Sequence, residues 1–317
     1  MVSLWKAPVR LVGAFFVTGM LVTASASVAR PGTINYAEGS VTLAGKAIGV
    51  RQLGQSEVEP GQVLATSGGK AEMLLTPGVV FRIGDHSAVK MISPSLTDTR
   101  VELLRGEAMV EAAQVFDANR IDVIDHGVDT LILKKGIYRF DADRPTVAVY
   151  DGKAKVLSDD RGIEVKKGKE LALGTATKPQ KFNRDQTDSL YAWSKLRSSY
   201  LADANQAIVQ NIEIGGPGWY GTGWYWNPWY SSWAFVPADG YLFSPFGFGF
   251  YSPAYWYSVG PGFYGRFGRP YRYYPGYRAV TPVPALRGNG GFVRGGGPAM
   301  HLPERGGMRP MARGGRR

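Results

Sequence analysis

Three histidines, His86, His126 and His301, are the only imidazoles in the chain, and the absence of cysteine removes thiolate nucleophiles, disulfides and every Cys-based zinc site. One group of potential ligands lies close together: Asp122, Asp125, His126 and Asp129 could hold a divalent cation through carboxylate oxygens and one imidazole. The same residues suit a polar hairpin tip, because Asp125-His126-Gly127 has turn composition. His86, in Gly84-Asp85-His86-Ser87, also reads as a turn, and His301 has no ligand-type neighbour at metal-binding spacing. No Gly-x-Ser-x-Gly elbow, phosphate-cradling loop or dinucleotide fingerprint occurs, and Asp141, Asp143, Asp159 and Asp160 read as turn or solvent-face acids. The expectation is a protein that is not an enzyme, with no catalytic residue, no cofactor and no metal.

Non-covalent contact is better provided for. Residues 214–277 contain six of the eight Trp, and Trp219, Trp224, Trp226, Trp229 and Trp233 fall within fifteen positions among Gly and Pro. Aromatic faces stack on sugars, on other rings and on cations, so Trp224, Trp226, Trp229 and Trp233 are candidate contact residues. Phe246, Phe248 and Phe250 join them, since an extended strand would show all three rings on one side. The competing reading is that these rings pack as short hairpins against the preceding domain. The net charge of +11 has a separate origin: residues 27–213 carry 24 basic and 24 acidic side chains, whereas residues 261–317 carry eleven Arg against Glu304. Arg305, Arg313, Arg316 and Arg317 in the Arg/Gly-rich tail 278–317 are candidate contacts to anions, since guanidinium pairs with phosphate whatever molecule carries it. The tail itself has the composition of a disordered segment.

An address stands at the other end. Lys6 and Arg10 precede an apolar run over residues 11–22, and Ala24-Ser25-Ala26 offers a small-residue cleavage site. Residues 1–26 therefore read as a secretory signal peptide, with an uncleaved anchor over residues 11–29 as the alternative. Export places the mature chain in the periplasm or at the cell surface. There the expected partners are envelope protein or polysaccharide, with an anionic membrane surface as a further candidate, and no nucleic acid is expected. A cytosolic chain would instead make the Arg-Gly tail an RNA-binding feature.

Between these ends lies a strand-rich stretch. Ala71, Met73 and Leu75 alternate with Lys70, Glu72 and Leu74; Val101 and Leu103 alternate with Arg100 and Glu102; Val147 and Val149 alternate with Thr146 and Ala148. Period-two alternation sends one face of each segment inward. Turns are expected at Pro60-Gly61, Gly68-Gly69, Pro77-Gly78, Arg105-Gly106, Lys135-Gly136 and Asp151-Gly152. The predicted fold class is all-β: a Gly-punctuated antiparallel two-sheet sandwich or β-roll over residues 27–176, then one amphipathic helix and a largely irregular or disordered C-terminal region. The helix is expected over residues 183–209, with Asp185 as its cap and Leu190, Trp193, Leu196, Tyr200, Leu201, Ala204 and Ile208 as its docking stripe. A chain ending at Val209 is expected to keep its β-structure.

The succession Gly39-Ser40-Val41, Pro60-Gly61-Gln62-Val63-Leu64-Ala65-Thr66, the Ala71 to Leu75 strand, Val101-Glu102-Leu103-Leu104-Arg105-Gly106, Gly136-Ile137-Tyr138-Arg139-Phe140 and Val147-Ala148-Val149-Tyr150-Asp151-Gly152 resembles the FecR-type domain over roughly residues 33–175. The resemblance implies a periplasmic or surface β-domain that contacts other envelope components. In the founding regulators such a domain relays a ferric-siderophore signal to a cytoplasmic sigma factor. Here about ten residues precede the apolar run, too few for the cytoplasmic module that holds a sigma factor. The leading expectation is accordingly an exported binding or scaffolding protein; the alternative is the periplasmic component of a signalling system.

Overall fold

The computed structural model describes residues 29–158, 161–174, 178–212 and 219–259. The signal-peptide segment 1–26 and the tail 278–317, with Arg305, Arg313, Arg316 and Arg317, lie outside the described residues. Among the described residues fifteen strands form one continuous sheet: β1 (Ile34–Leu43), β2 (Lys46–Ala47), β3 (Val63–Leu74), β4 (Val79–Ile83), β5 (Ala88–Pro94), β6 (Asp98–Arg105), β7 (Glu107–Ala112), β8 (Arg120–Asp125), β9 (Val128–Ile132), β10 (Gly136–Asp141), β11 (Thr146–Asp151), β12 (Lys153–Ser158), β13 (Arg161–Lys166), β14 (Lys169–Ala172) and β15 (Gln180–Lys181). Their order is β13-β12-β9-β8-β6-β5-β3-β4-β7-β10-β11-β14-β15, with β1 also on β3 and β2 on β1. Pairing is antiparallel except between β6 and β8, which run parallel.

The sheet turns on β3. Its first residues, Val63 to Ala65, pair with β5, while Ala71 to Leu74 pair with β4, so one strand belongs to both arms. Gly68-Gly69 is therefore not the predicted turn but a point inside β3 where the long strand passes between the arms, opposite a register shift at Gly39 of β1. The glycines are required there, because a Cβ on Gly39 or Gly69 would be driven into the backbone of the opposing strand. Gly106 and Gly152, both with positive φ, stand where the chain crosses from one arm to the other. The arms share a single apolar interior in which Met73, Phe81, Val110, Tyr138 and Phe140 pack with Met91, Val101, Leu103, Val123 and Val156. The alternation read from Ala71, Met73, Leu75, Val101, Leu103, Val147 and Val149 thus has the predicted sense, since all seven are buried in that interior.

A helix, α1 (Ser189–Val209), follows the sheet and starts later than expected. Its cap is Asp188, whose carboxylate accepts the Tyr191 N–H at 2.7 Å and forms an ion pair with the Arg139 guanidinium at 2.8 Å. Asp185 lies in the preceding turn, where its own N–H is taken by the Asn183 side chain. The buried side of α1 also departs from the apolar stripe. Leu190, Leu201, Ala204 and Ile208 are inside, but so are Ser194, Arg197, Ser198 and Asn205, while Leu196 and Tyr200 face solvent.

The described part of the aromatic segment is regular. It comprises a hairpin of β16 (Gly223–Asn227) and β17 (Ser232–Val236), a second of β18 (Tyr241–Phe243) and β19 (Gly249–Tyr251), and a short helix α2 (Pro253–Val259). These elements form clusters with α1 and with the outward-facing residues of the sheet: Trp224, Trp233, Phe235 and Phe250 pack with Leu74, Val80 and Leu201. The extension is thus a third layer of the fold. Removal after Val209 would strip this cover from Leu74 and Val80, so such a cut is expected to cost stability.

Candidate interaction site

The outward faces of β3, β4 and β7 carry the charged residues Glu72, Arg82 and Glu111. All three are buried beneath α1, which adds Arg197 and Ser198. Glu72 accepts from Arg82 Nε at 2.9 Å, from Arg197 at 2.8 Å and from Asn35 Nδ2 at 2.9 Å. Arg82 donates its other arm to Glu111 at 2.7 Å, and Glu111 also receives the Ser198 hydroxyl at 2.5 Å. Two carboxylates and two guanidiniums make the cluster neutral. Burial alone would raise the Glu72 carboxyl, but the adjacent Arg197 and Arg82 overrule it and hold its pKa down to about 2.

Three buried asparagines bind the extension to this base. Asn35 accepts the Trp233 N–H at 2.8 Å and donates to the Trp233 carbonyl at 3.1 Å while holding Glu72. Asn205 donates to the carbonyls of Phe235 and Tyr251 at 2.9 and 3.0 Å and accepts the Tyr251 N–H at 2.9 Å. Asn227 donates to the Ala204 carbonyl at 3.1 Å. Asn35 and Asn205 satisfy backbone groups of the short hairpins, whereas Asn227 ties the first hairpin to the backbone of α1. No periodicity in the sequence marks these residues, because their partners are backbone atoms far along the chain.

The candidate contact rings are thereby sorted. Trp224, Trp233 and Phe250 are buried and cannot stack on a partner. Trp233 Nε1 donates to the Gly54 carbonyl at 2.8 Å, and Phe235 lies 5.9 Å edge-on from Trp224. Phe246, Phe248 and Phe250 do not form a one-sided strand, because the chain turns at Gly247, with φ at 92°. Phe246 meets Tyr191 edge-on at 5.3 Å, whereas Phe248 and Phe250 join the cluster around Trp224. Trp226 is intermediate: its ring lies against Gly54 and edge-on to Trp233 at 5.5 Å, leaving 37% of the residue exposed.

Trp229 is different. It stands in the turn between β16 and β17 with 89% of its surface exposed, beside the exposed Tyr230. The turn is nevertheless pinned, since the Asn227 carboxamide oxygen accepts the N–H groups of Trp229 and Tyr230 at 2.9 and 3.3 Å. A side chain buried against α1 thus sets the backbone of an exposed aromatic tip.

The carboxylate and imidazole group from β8 and β9 takes a structural form. Asp122 receives Arg120 at 2.6 Å and lies 3.8 Å from Arg100, which approaches Asp129 at 3.6 Å. His126, with φ at 49°, and Gly127 make the tight turn joining the strands, and the imidazole meets Asp125 at 2.6 Å. Among the described residues no set of three acidic or imidazole groups is arranged to hold a metal ion. His86, with φ at 52°, likewise occupies a turn.

Among the described residues no helix is long and apolar enough to cross a membrane. No protein-family profile matches the chain, and no curated protein matches it. Two solved structures of candidate anti-sigma factors from Parabacteroides distasonis are similar to it. One, at 15% identity and a TM-score of 0.35, aligns over 42% of this chain and 64% of its own; the other, at 12% identity and a TM-score of 0.35, aligns over 56% and 99%. The chain thus spans less than two thirds of the first of these structures.

Proposed function

We propose that this chain is an exported, non-catalytic binding or scaffolding protein of the bacterial cell envelope, built on a FecR-like β-domain, that holds a protein or polysaccharide partner at the tip of the β16–β17 hairpin. One observation carries the reading: Trp229 is 89% exposed on a turn whose backbone is fixed by Asn227. A large ring carried on a turn whose backbone is already fixed needs no backbone ordering on binding, and Trp is among the side chains enriched at dominant contacts. Trp226 and Tyr230 are further exposed rings of the same hairpin. Export is supported by Lys6 and Arg10, the apolar run that follows and Ala24-Ser25-Ala26.

Retention of the purified mature chain on isolated envelope fractions tests the proposal. Trp229→Ala is expected to lose most of the retention at unchanged melting temperature. Undiminished retention would move the contact surface to the β-domain. A loss accompanied by failure of a receptor-dependent transcriptional response would assign the same tip to signalling.

A further inference from the structure

We infer that a second surface, the sheet end where the turns at residues 133–135, 151–153 and 166–169 meet, docks on an anionic lipid surface. The three turns are joined through the backbone: Leu133 N donates to Lys153 O at 3.0 Å, Lys167 N to Gly152 O at 3.2 Å and Gly168 N to Val149 O at 2.7 Å. Beneath them the buried Tyr138 hydroxyl donates to the Lys134 carbonyl and accepts the Lys153 N–H at 3.1 Å, fixing two turns to each other.

This junction gathers charge that the sequence spreads out. Lys134, Lys135, Lys153, Lys166, Lys167 and Lys169 lie on or beside these turns, against the carboxylates of Asp151 and Glu164. Those acids are engaged: Asp151 with Lys167 at 2.8 Å, and Glu164 with Lys153 at 2.6 Å and Lys166 at 3.6 Å. Six positive and two negative groups leave a local excess of four in a region, residues 27–213, that balances overall. Lys134 and Lys135 are exposed, and no ion pair within 4.0 Å involves either among the described residues.

The aliphatic component selects the partner. Leu133 is 38% exposed immediately before Lys134-Lys135, so an apolar side chain and two cations share one apex. No aromatic residue lies in residues 133–135, 151–153 or 166–169, which leaves no platform there for a base or a sugar ring. Lysine heads at the phosphate level with an aliphatic side chain reaching inward match an anionic bilayer surface. The surface shares no residue with the Trp229 tip and does not depend on the binding role assigned to that tip.

Because the chain has no cysteine, Leu133→Cys can carry a single environment-sensitive fluorophore in the full chain. Phosphatidylglycerol vesicles are expected to shift its emission to the blue, and phosphatidylcholine vesicles to leave it unchanged. Adding Lys134→Glu and Lys135→Glu is expected to weaken the response about tenfold or more, as reversing two cations at a charged surface requires. Lys46→Glu, at the exposed strand β2, is expected to leave it unaltered. Sedimentation with phosphatidylglycerol while the label still reports water would overturn the inference and place attachment elsewhere, as in the Arg tail. An equal shift produced by soluble polyphosphate without lipid would also overturn it, in favour of an acidic polymer.

Discussion

The two faces of β3, β4 and β7 show burial achieved in two ways by alternate residues of the same strands. Toward the interior, Met73, Phe81, Ile83 and Val110 pack as apolar side chains whose favourable term is removal from water. Toward α1, Glu72, Arg82 and Glu111 are buried as ions, each made tolerable by the others and by Arg197. An apolar face accepts many partners in many registers. The ionic face accepts one geometry, and that geometry sets the seat of α1. Asn35 extends the same specification to β17 through Glu72 and Trp233.

Breaking the ionic face should therefore be as damaging as opening the apolar one. Arg82→Ala leaves Glu72 and Glu111 short of their shared counter-ion and is expected to cost about 3–5 kcal/mol, the scale for removing one partner from a buried pair. Phe81→Ala, at the neighbouring inward position, is expected to cost a similar amount, about 3–5 kcal/mol, by lost burial and cavity formation. Urea unfolding at neutral pH measures both.

Acid separates them. The pKa of Glu72 is held at about 2 against an ordinary 4.5, so the folded state favours the ionised form and its contribution is fully present above 4.5. It is lost as pH falls from about 4.5 toward 2, a change on the order of 3 kcal/mol. Over that window wild-type stability should drop, and the cost of Arg82→Ala should shrink as Glu72 takes a proton. The cost of Phe81→Ala should stay flat. Parallel acid dependence in the two variants would mean that the ionic face does not govern acid stability.

The comparison also explains which parts of the molecule were legible in sequence. The interior was, because Ala71, Met73 and Leu75 alternate with unlike residues and alternation requires nothing beyond one buried face. The outer face was not. Lys70, Glu72 and Arg82 look alike as charged positions, and nothing local distinguishes the exposed Lys70–Asp85 pair from buried Glu72. The docking of the aromatic segment was legible as one of two readings, short hairpins packed on the preceding domain, and the hairpins of β16–β17 and β18–β19 take that form on Leu74 and Val80; which of the rings would remain exposed was not legible. Arg197 and Ser198 broke the helical stripe, and Leu196 and Tyr200 filled it wrongly, because α1 docks on ions as well as on apolar side chains. Trp229 was among the sequence candidates, but its separation from Trp224 and Trp233 depended on backbone pairing between β16 and β17 that composition does not report.

At the rim of the ionic face the effects become smaller. Asp188 caps α1 and holds Arg139, which also meets Glu107. Asp188→Ala removes the cap and is expected to cost about 1 kcal/mol, with Asp188→Asn recovering most of it because the amide oxygen still caps. Urea midpoints of the two variants test this. Equal loss in both would shift the role of Asp188 from capping to its ion pair with Arg139.

The smallest stability effect belongs to the residue on which the proposed contact depends. Trp229 covers no part of either face, so Trp229→Ala should change unfolding free energy by less than about 0.5 kcal/mol, the range of ordinary surface substitutions. Asn227→Ala removes the acceptor that fixes the turn and the donor to the Ala204 carbonyl, and it should both lower stability and loosen the tip. The two variants therefore separate ring from scaffold. If envelope retention falls equally in both, while only Asn227→Ala moves the melting temperature, the pinned aromatic tip is what the partner engages; if Asn227→Ala alone loses retention, the partner engages the layer beneath it.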